Sequence, residues 1–145
     1  MIDTRLAPYG LFALRVALGA MFVSHALLKY LVFTMPGFEG FLAKLGLPVV
    51  LAWPIFLGEL LGGVAIVAGF YGRFVSAALL PVLLGALFVH AGNGWLFTAT
   101  GGGWEYPAFL VVAAMTHILA GEGAVALKPA GLPHLSSAAA APQAA

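Results

Sequence analysis

Glu59 stands near the middle of an apolar run, residues 48–70, long enough to cross a bilayer. A carboxylate at the centre of a membrane costs about 3 kcal/mol on insertion scales, so such a group faces a bundle interior and has a partner there. Arg15, inside the apolar stretch Leu11-Phe-Ala-Leu-Arg-Val-Ala-Leu-Gly-Ala20, is the partner expected from the sequence. A chain that hides opposite charges inside apolar runs reads as a helical membrane bundle with a polar interior.

Four such runs are present, at about 7–33, 47–70, 73–91 and 106–119. Each approaches the roughly 20 residues that span a bilayer, and the fourth does so fully only if residues 121–127 extend it. The fold class expected is therefore all-α: four transmembrane helices, with residues 1–128 as one membrane domain. Only 8% of the chain is charged, against about 25% in soluble domains. The first run resembles a secretory leader, with Ser24-His25-Ala26 as a loose cleavage site. It is too long for that and carries Arg15 and His25, so it is read as a retained helix.

Between the first two runs, Pro and Gly flank a short amphipathic piece. Phe38, Phe41, Leu42 and Leu45 share one helical face there, which predicts a short interfacial helix. Tyr71-Gly72 predicts a tight turn between antiparallel neighbours, and the Gly- and aromatic-rich residues 92–105 a looser connection, with Gly101-Gly-Gly103 a flexible turn. Residues 129–145, rich in Ala and Pro, predict a disordered tail. Pro54 and Pro81 fall inside the second and third spans, where membrane bundles tolerate kinks. Gly58 and Gly62 form a small-xxx-small pair beside Glu59.

Four spans put both ends of the domain and the Tyr71 turn on one side, with Arg5, Arg73 and Lys128; Lys44, Glu39 and Glu105 lie on the other, with Lys29 near its edge. The positive-inside rule then favours both termini in the cytoplasm. A net charge of +1, without a basic cluster, gives no reason to expect nucleic acid. The chain has no cysteine, which excludes disulfides, thiolate nucleophiles, iron–sulfur clusters and thioether-held haem.

Steps of three and four residues place Arg15, Gly19, Phe22, His25 and Lys29 on one face of the first helix. Comparing depths at about 1.5 Å per residue gives two layers. A central layer holds Arg15, His25, Glu59 and His117; a mouth layer holds Lys29, His90, Asn93, Trp95, Trp104 and Glu105. Arg15 with Glu59 reads either as an ion pair fixing helix register or as a site for an anionic or quinone-like group. His25 reads as an interior hydrogen-bonded histidine or a proton relay, and Lys29 as an anion holder or a snorkelling cation. The aromatic mouth, Trp95 and Trp104 with Tyr106, reads as an interfacial anchor or as a quinone pocket. No metal-ligand signature is present, and no metal is expected.

These residues resemble the DoxX family of small four-helix membrane proteins. The resemblance rests on Leu14-Arg15 with Gly19, Phe22, His25 and Lys29, on Phe41-Leu-Ala-Lys-Leu-Gly-Leu-Pro48, on Glu59 with Gly62-Gly63, and on Gly69-Phe-Tyr-Gly-Arg73. Gly102-Gly-Trp-Glu-Tyr-Pro107 and Gly121-Glu-Gly123 complete it, though the family's closing Ser and Asp are replaced after Gly123. The resemblance implies a membrane component of a quinone-linked oxidoreductase; in that reading the residues His25, Lys29, Glu59, His90, Asn93, Trp95, Trp104 and Glu105 are the candidate quinone pocket. It also implies lipid and a soluble redox protein as partners. A scaffold for a soluble redox enzyme and a small-solute permease stay open beside it, as does a homo-oligomer; no catalytic residue is assigned.

Overall fold

A computed structural model describes residues 3–128; the expected tail, residues 129–145, lies outside the described residues. The chain is all-α. Helix α1 (Ala7–Leu27) runs on into a π-helical turn at Leu28–Val32. The short α2 (Met35–Lys44) follows, then α3 (Ala52–Ala68), α4 (Gly72–His90) and α5 (Glu105–Ala120). Three helical stretches, Ala7–Val32, Val49–Ala68 and Gly72–Asn93, are long and apolar enough to cross a membrane, and α5 is a shorter apolar fourth.

Burial follows the helical period. Helix α3 buries Ala52, Phe56, Glu59, Gly63 and Ile66, and α4 buries Gly72, Ser76, Leu79 and Leu83. Each set steps by three or four residues and so forms one inward stripe. The other faces leave large apolar side chains uncovered, among them Leu61, Phe88 and Leu119. Sequential helices pack side by side from α3 to α5, α1 packs on α3, and α5 returns to touch α1. Leu18, Phe22, Ile66, Leu79, Leu83, Leu110 and Ala114 form the central apolar core. A second cluster, Ala26, Met35, Phe38, Leu42, Ala52 and Phe56, seats α2 against α1 and α3.

Two glycines set the register. A Cβ on Gly63 would lie 2.8 Å from the Gly19 carbonyl oxygen and 2.9 Å from the Val23 nitrogen, so α1 and α3 touch backbone to backbone. Gly58 and Gly62 instead face Leu79 of α4. The close α1–α3 approach thus uses Gly63 rather than the small-xxx-small pair. Gly69, at φ +67°, closes α3 in the left-handed conformation that an L side chain resists, and it opens the tight turn to α4. Pro81 is inside α4 as expected. Pro54 is not an interior kink: it occupies the first turn of α3, where a missing N–H costs little.

The segment after α5 does not prolong the helix. It turns back across the chain-terminal end of the fold as a strap, with Ala124 N–H donating to Pro8 O, Leu127 N–H to Ala68 O and Lys128 N–H to Gly69 O. The bonds from Leu127 and Lys128 satisfy carbonyls at the C-terminal end of α3, which lack helical partners, and the bond from Ala124 ties the strap to the first turn of α1.

Candidate functional site

The π-turn after α1 sets Lys29 toward α3. Its Nζ donates to Glu59 Oε2 at 2.6 Å and lies 5.5 Å from the centre of the Phe38 ring. The Glu59 side chain is 5% exposed and that of Lys29 16%. The pair therefore sits at the wall of a large, partly open cavity, with the carboxylate deeper than the ammonium. That cavity measures about 1300 Å³ and runs between all five helices and the Gly-rich loop. Its lining is mostly apolar, with polar atoms from Lys29, Glu59, His25, His90 and Tyr106.

The two histidines are held alike. His25 Nδ1 donates to Met21 O at 2.8 Å, and His90 Nδ1 donates to Ala86 O at 2.7 Å. A carbonyl only accepts, so each ring carries its proton on Nδ1 and, when neutral, keeps its Nε2 lone pair available as an acceptor. The His25 ring stacks on Tyr106, centroids 5.6 Å apart and planes 20° from parallel. The Tyr106 hydroxyl is buried and has no hydrogen-bond partner among the described residues. A buried hydroxyl without a partner costs about 1–3 kcal/mol, which a ligand acceptor would recover.

A second polar cluster lies on the far side of the apolar core. Arg15 is 1% exposed, and its guanidinium donates to Glu122 O and Val125 O, each at 3.0 Å. Glu122 Oε1 accepts from the Arg73 backbone N–H at 2.8 Å, so its carboxylate caps the N-terminus of α4 from a distant part of the chain. Glu122 Oε2 accepts from His117 Nε2 at 3.3 Å, and in the neutral ring Nδ1 accepts from Ser76 Oγ at 2.8 Å. The cluster ties the strap, α1, α4 and α5 together. Ser76 and His117 are fully buried, which closes this cluster to a substrate.

The model of the DoxX family matches residues 10–92. The chain belongs to the DoxX family. No curated protein and no solved structure matches it. The family match takes in α1 to α4 and ends before α5, so Tyr106, His117 and Glu122 of this DoxX protein lie beyond it.

Arg15 and Glu59 do not form the expected pair. Antiparallel packing puts Gly19 level with Gly63. Arg15 is then four residues to one side and Glu59 four to the other, about 12 Å apart along the axis at 1.5 Å per residue. Lys29 takes the place assigned to Arg15, and the single central layer separates into two. His25 and Glu59 belong with Lys29, His90 and Tyr106 at the cavity, whereas Arg15 and His117 belong to the strap cluster.

The mouth residues also divide. Asn93 does not line the cavity; its Nδ2 donates to Gly101 O and Gly102 O and holds the loop closed. Glu105 Oε1 accepts from Phe97 N–H, and Trp104 meets Trp95 edge-on at 4.4 Å. The Gly-rich segment is therefore a hydrogen-bonded loop rather than a loose turn. Ser76 and Glu122 were missed as site residues, whereas Tyr106 was expected in the aromatic mouth. Glu122 carried a signal: an acid between two glycines just after a helix too short to span alone.

Proposed function

We propose that this DoxX membrane protein is a four-helix, four-span component of a quinone-linked redox system, and that its large cavity receives the quinone head-group. The unpartnered Tyr106 hydroxyl beside the free Nε2 of His25, in a mostly apolar cavity, carries this reading. A quinone supplies a carrier for two electrons and two protons. Its oxidised form needs hydrogen-bond donors, which Tyr106 O–H and Lys29 Nζ provide. Its reduced form needs acceptors, which His25 Nε2, His90 Nε2 and the Glu59 carboxylate provide. A site offering both kinds holds either form and can pass protons through His or Glu. Apolar walls suit the ring and the start of an alkyl tail.

With no cysteine to hold a cluster or a thioether-linked haem, we assign the supply of electrons to a soluble redox partner or a small reductant. The arginine and lysine distribution supports both termini in the cytoplasm, in an inner membrane. A permease for hydrophilic solutes fits less well. Leu18, Phe22, Leu79, Leu83 and Leu110 close the interior between the cavity and the strap cluster.

The test is a titration of decylubiquinone into protein held in nanodiscs, followed by quenching of tryptophan fluorescence. The wild type should bind one equivalent, and Tyr106→Phe and His25→Ala should each weaken binding about tenfold, the loss of one buried hydrogen bond. Absence of saturable binding by the folded wild type, or variants that bind as tightly, would refute the reading.

A further inference from the structure

The stacked His25–Tyr106 pair is lined on both sides. Its inner side faces the large cavity with Lys29 and Glu59. Its outer side faces a groove of about 780 Å³ between α1 and α5, which Ala108, Phe109 and Val112 flank and the loop residues Trp95 and Phe97 overhang. Met21, His25, Phe97 and Tyr106 border both spaces. The groove follows the least closely packed of the four long seams, and Val112 and Phe109 turn to the outside, 61% and 66% exposed. It therefore opens sideways, on the faces where large apolar side chains are uncovered.

We infer that the α1–α5 groove is a second ligand site, a lateral portal through which an amphiphile dissolved in the bilayer reaches Lys29 and Glu59, with His25–Tyr106 as the partition between groove and cavity. This rests on the quinone reading of the inner cavity and adds where the ligand comes from. Three observations support it. The outer groove is apolar, as the tail of a membrane-dissolved amphiphile requires. The partition is a stacked aromatic pair whose mutual attraction, about 0.5–1.5 kcal/mol, a flat ring sliding between them replaces. The Tyr106 hydroxyl has no hydrogen-bond partner among the described residues, so moving that ring breaks no hydrogen bond within them. An amphiphile with a flat head bearing carbonyl or hydroxyl oxygens satisfies all three.

The chain has no cysteine, so Val112→Cys gives one reactive thiol in the groove, on an exposed position whose replacement leaves the core intact. Val64→Cys, exposed on α3 away from the groove, is the control. Both are reconstituted in nanodiscs and measured with and without a bulky methanethiosulfonate label, by stopped-flow quenching with decylubiquinone. Labelling at Val112→Cys should slow association about tenfold, the rate equivalent of 1.4 kcal/mol on the barrier, and labelling at Val64→Cys should leave it unchanged. Unchanged association after labelling Val112→Cys, with or without a change in affinity, overturns the portal while leaving the quinone site standing. An unmodified protein that binds no decylubiquinone overturns both.

Discussion

Breaking the Lys29–Glu59 pair from one side should cost far more than removing it whole. Glu59→Leu leaves an ammonium without its counter-charge, and Lys29→Met leaves a carboxylate without one. Removing one partner of a buried pair costs about 3–5 kcal/mol, whereas replacing both by apolar groups of similar volume is neutral or stabilising by about 1–4 kcal/mol. The structure orders the two single changes. The Lys29 side chain is 16% exposed on a flexible stem at the end of α1, so its ammonium can turn outward once released. The Glu59 carboxylate is 5% exposed in the middle of α3 and has no such escape. Lys29→Met should therefore cost about 3–5 kcal/mol, Glu59→Leu about half as much, and the double variant should lie within about 1 kcal/mol of wild type. Equilibrium unfolding by SDS in mixed micelles, read by far-ultraviolet circular dichroism, gives the four corners of the cycle. A coupling energy below about 0.5 kcal/mol, with the single effects simply adding, would refute the claim that the two charges balance each other at the cavity wall.

Three further changes probe the frame around the site. Gly63→Ala forces a methyl against the backbone of α1 at 2.8–2.9 Å and should destabilise by about 1–3 kcal/mol. Gly85→Ala meets nothing within 4 Å and should be neutral or stabilising by up to about 1 kcal/mol in the same SDS assay. Arg15→Met leaves Glu122 O and Val125 O unpaired and should release the strap, with a stability loss of about 2–4 kcal/mol. Hydrogen exchange at the amides of Ala124, Leu127 and Lys128 reads that release; protection equal to wild type would contradict it.

The helices were legible because apolar runs of bilayer length leave little choice, and Glu59 announced an interior that had to be polar. What could not be read was which charge meets it. Two basic residues on one face of α1 qualified, and the choice depended on helix register. Gly19 and Gly63 set that register by direct backbone contact, but nineteen glycines are present and nothing local singles out this pair. The π-helical turn at Leu28–Val32 adds a change of pitch that a 3.6-residue period does not foresee, and it decides where Lys29 points. His117 was legible as buried, but its partners Ser76 and Glu122 come from other elements, one of them a strap that has no periodicity at all. Tyr106 read as an anchor at the mouth or as one wall of an aromatic pocket there. Its role as a partition follows only from the cavity behind it.

The most direct test is mass spectrometry of the lipids extracted from protein purified in mild detergent, comparing the wild type with the Lys29→Met, Glu59→Leu double variant and with Tyr106→Phe. The account predicts near-stoichiometric quinone with the wild type, and a strong loss in both variants while circular dichroism shows the helices intact. Wild-type protein that is folded and free of quinone, and stays so after incubation with added quinone, would contradict it.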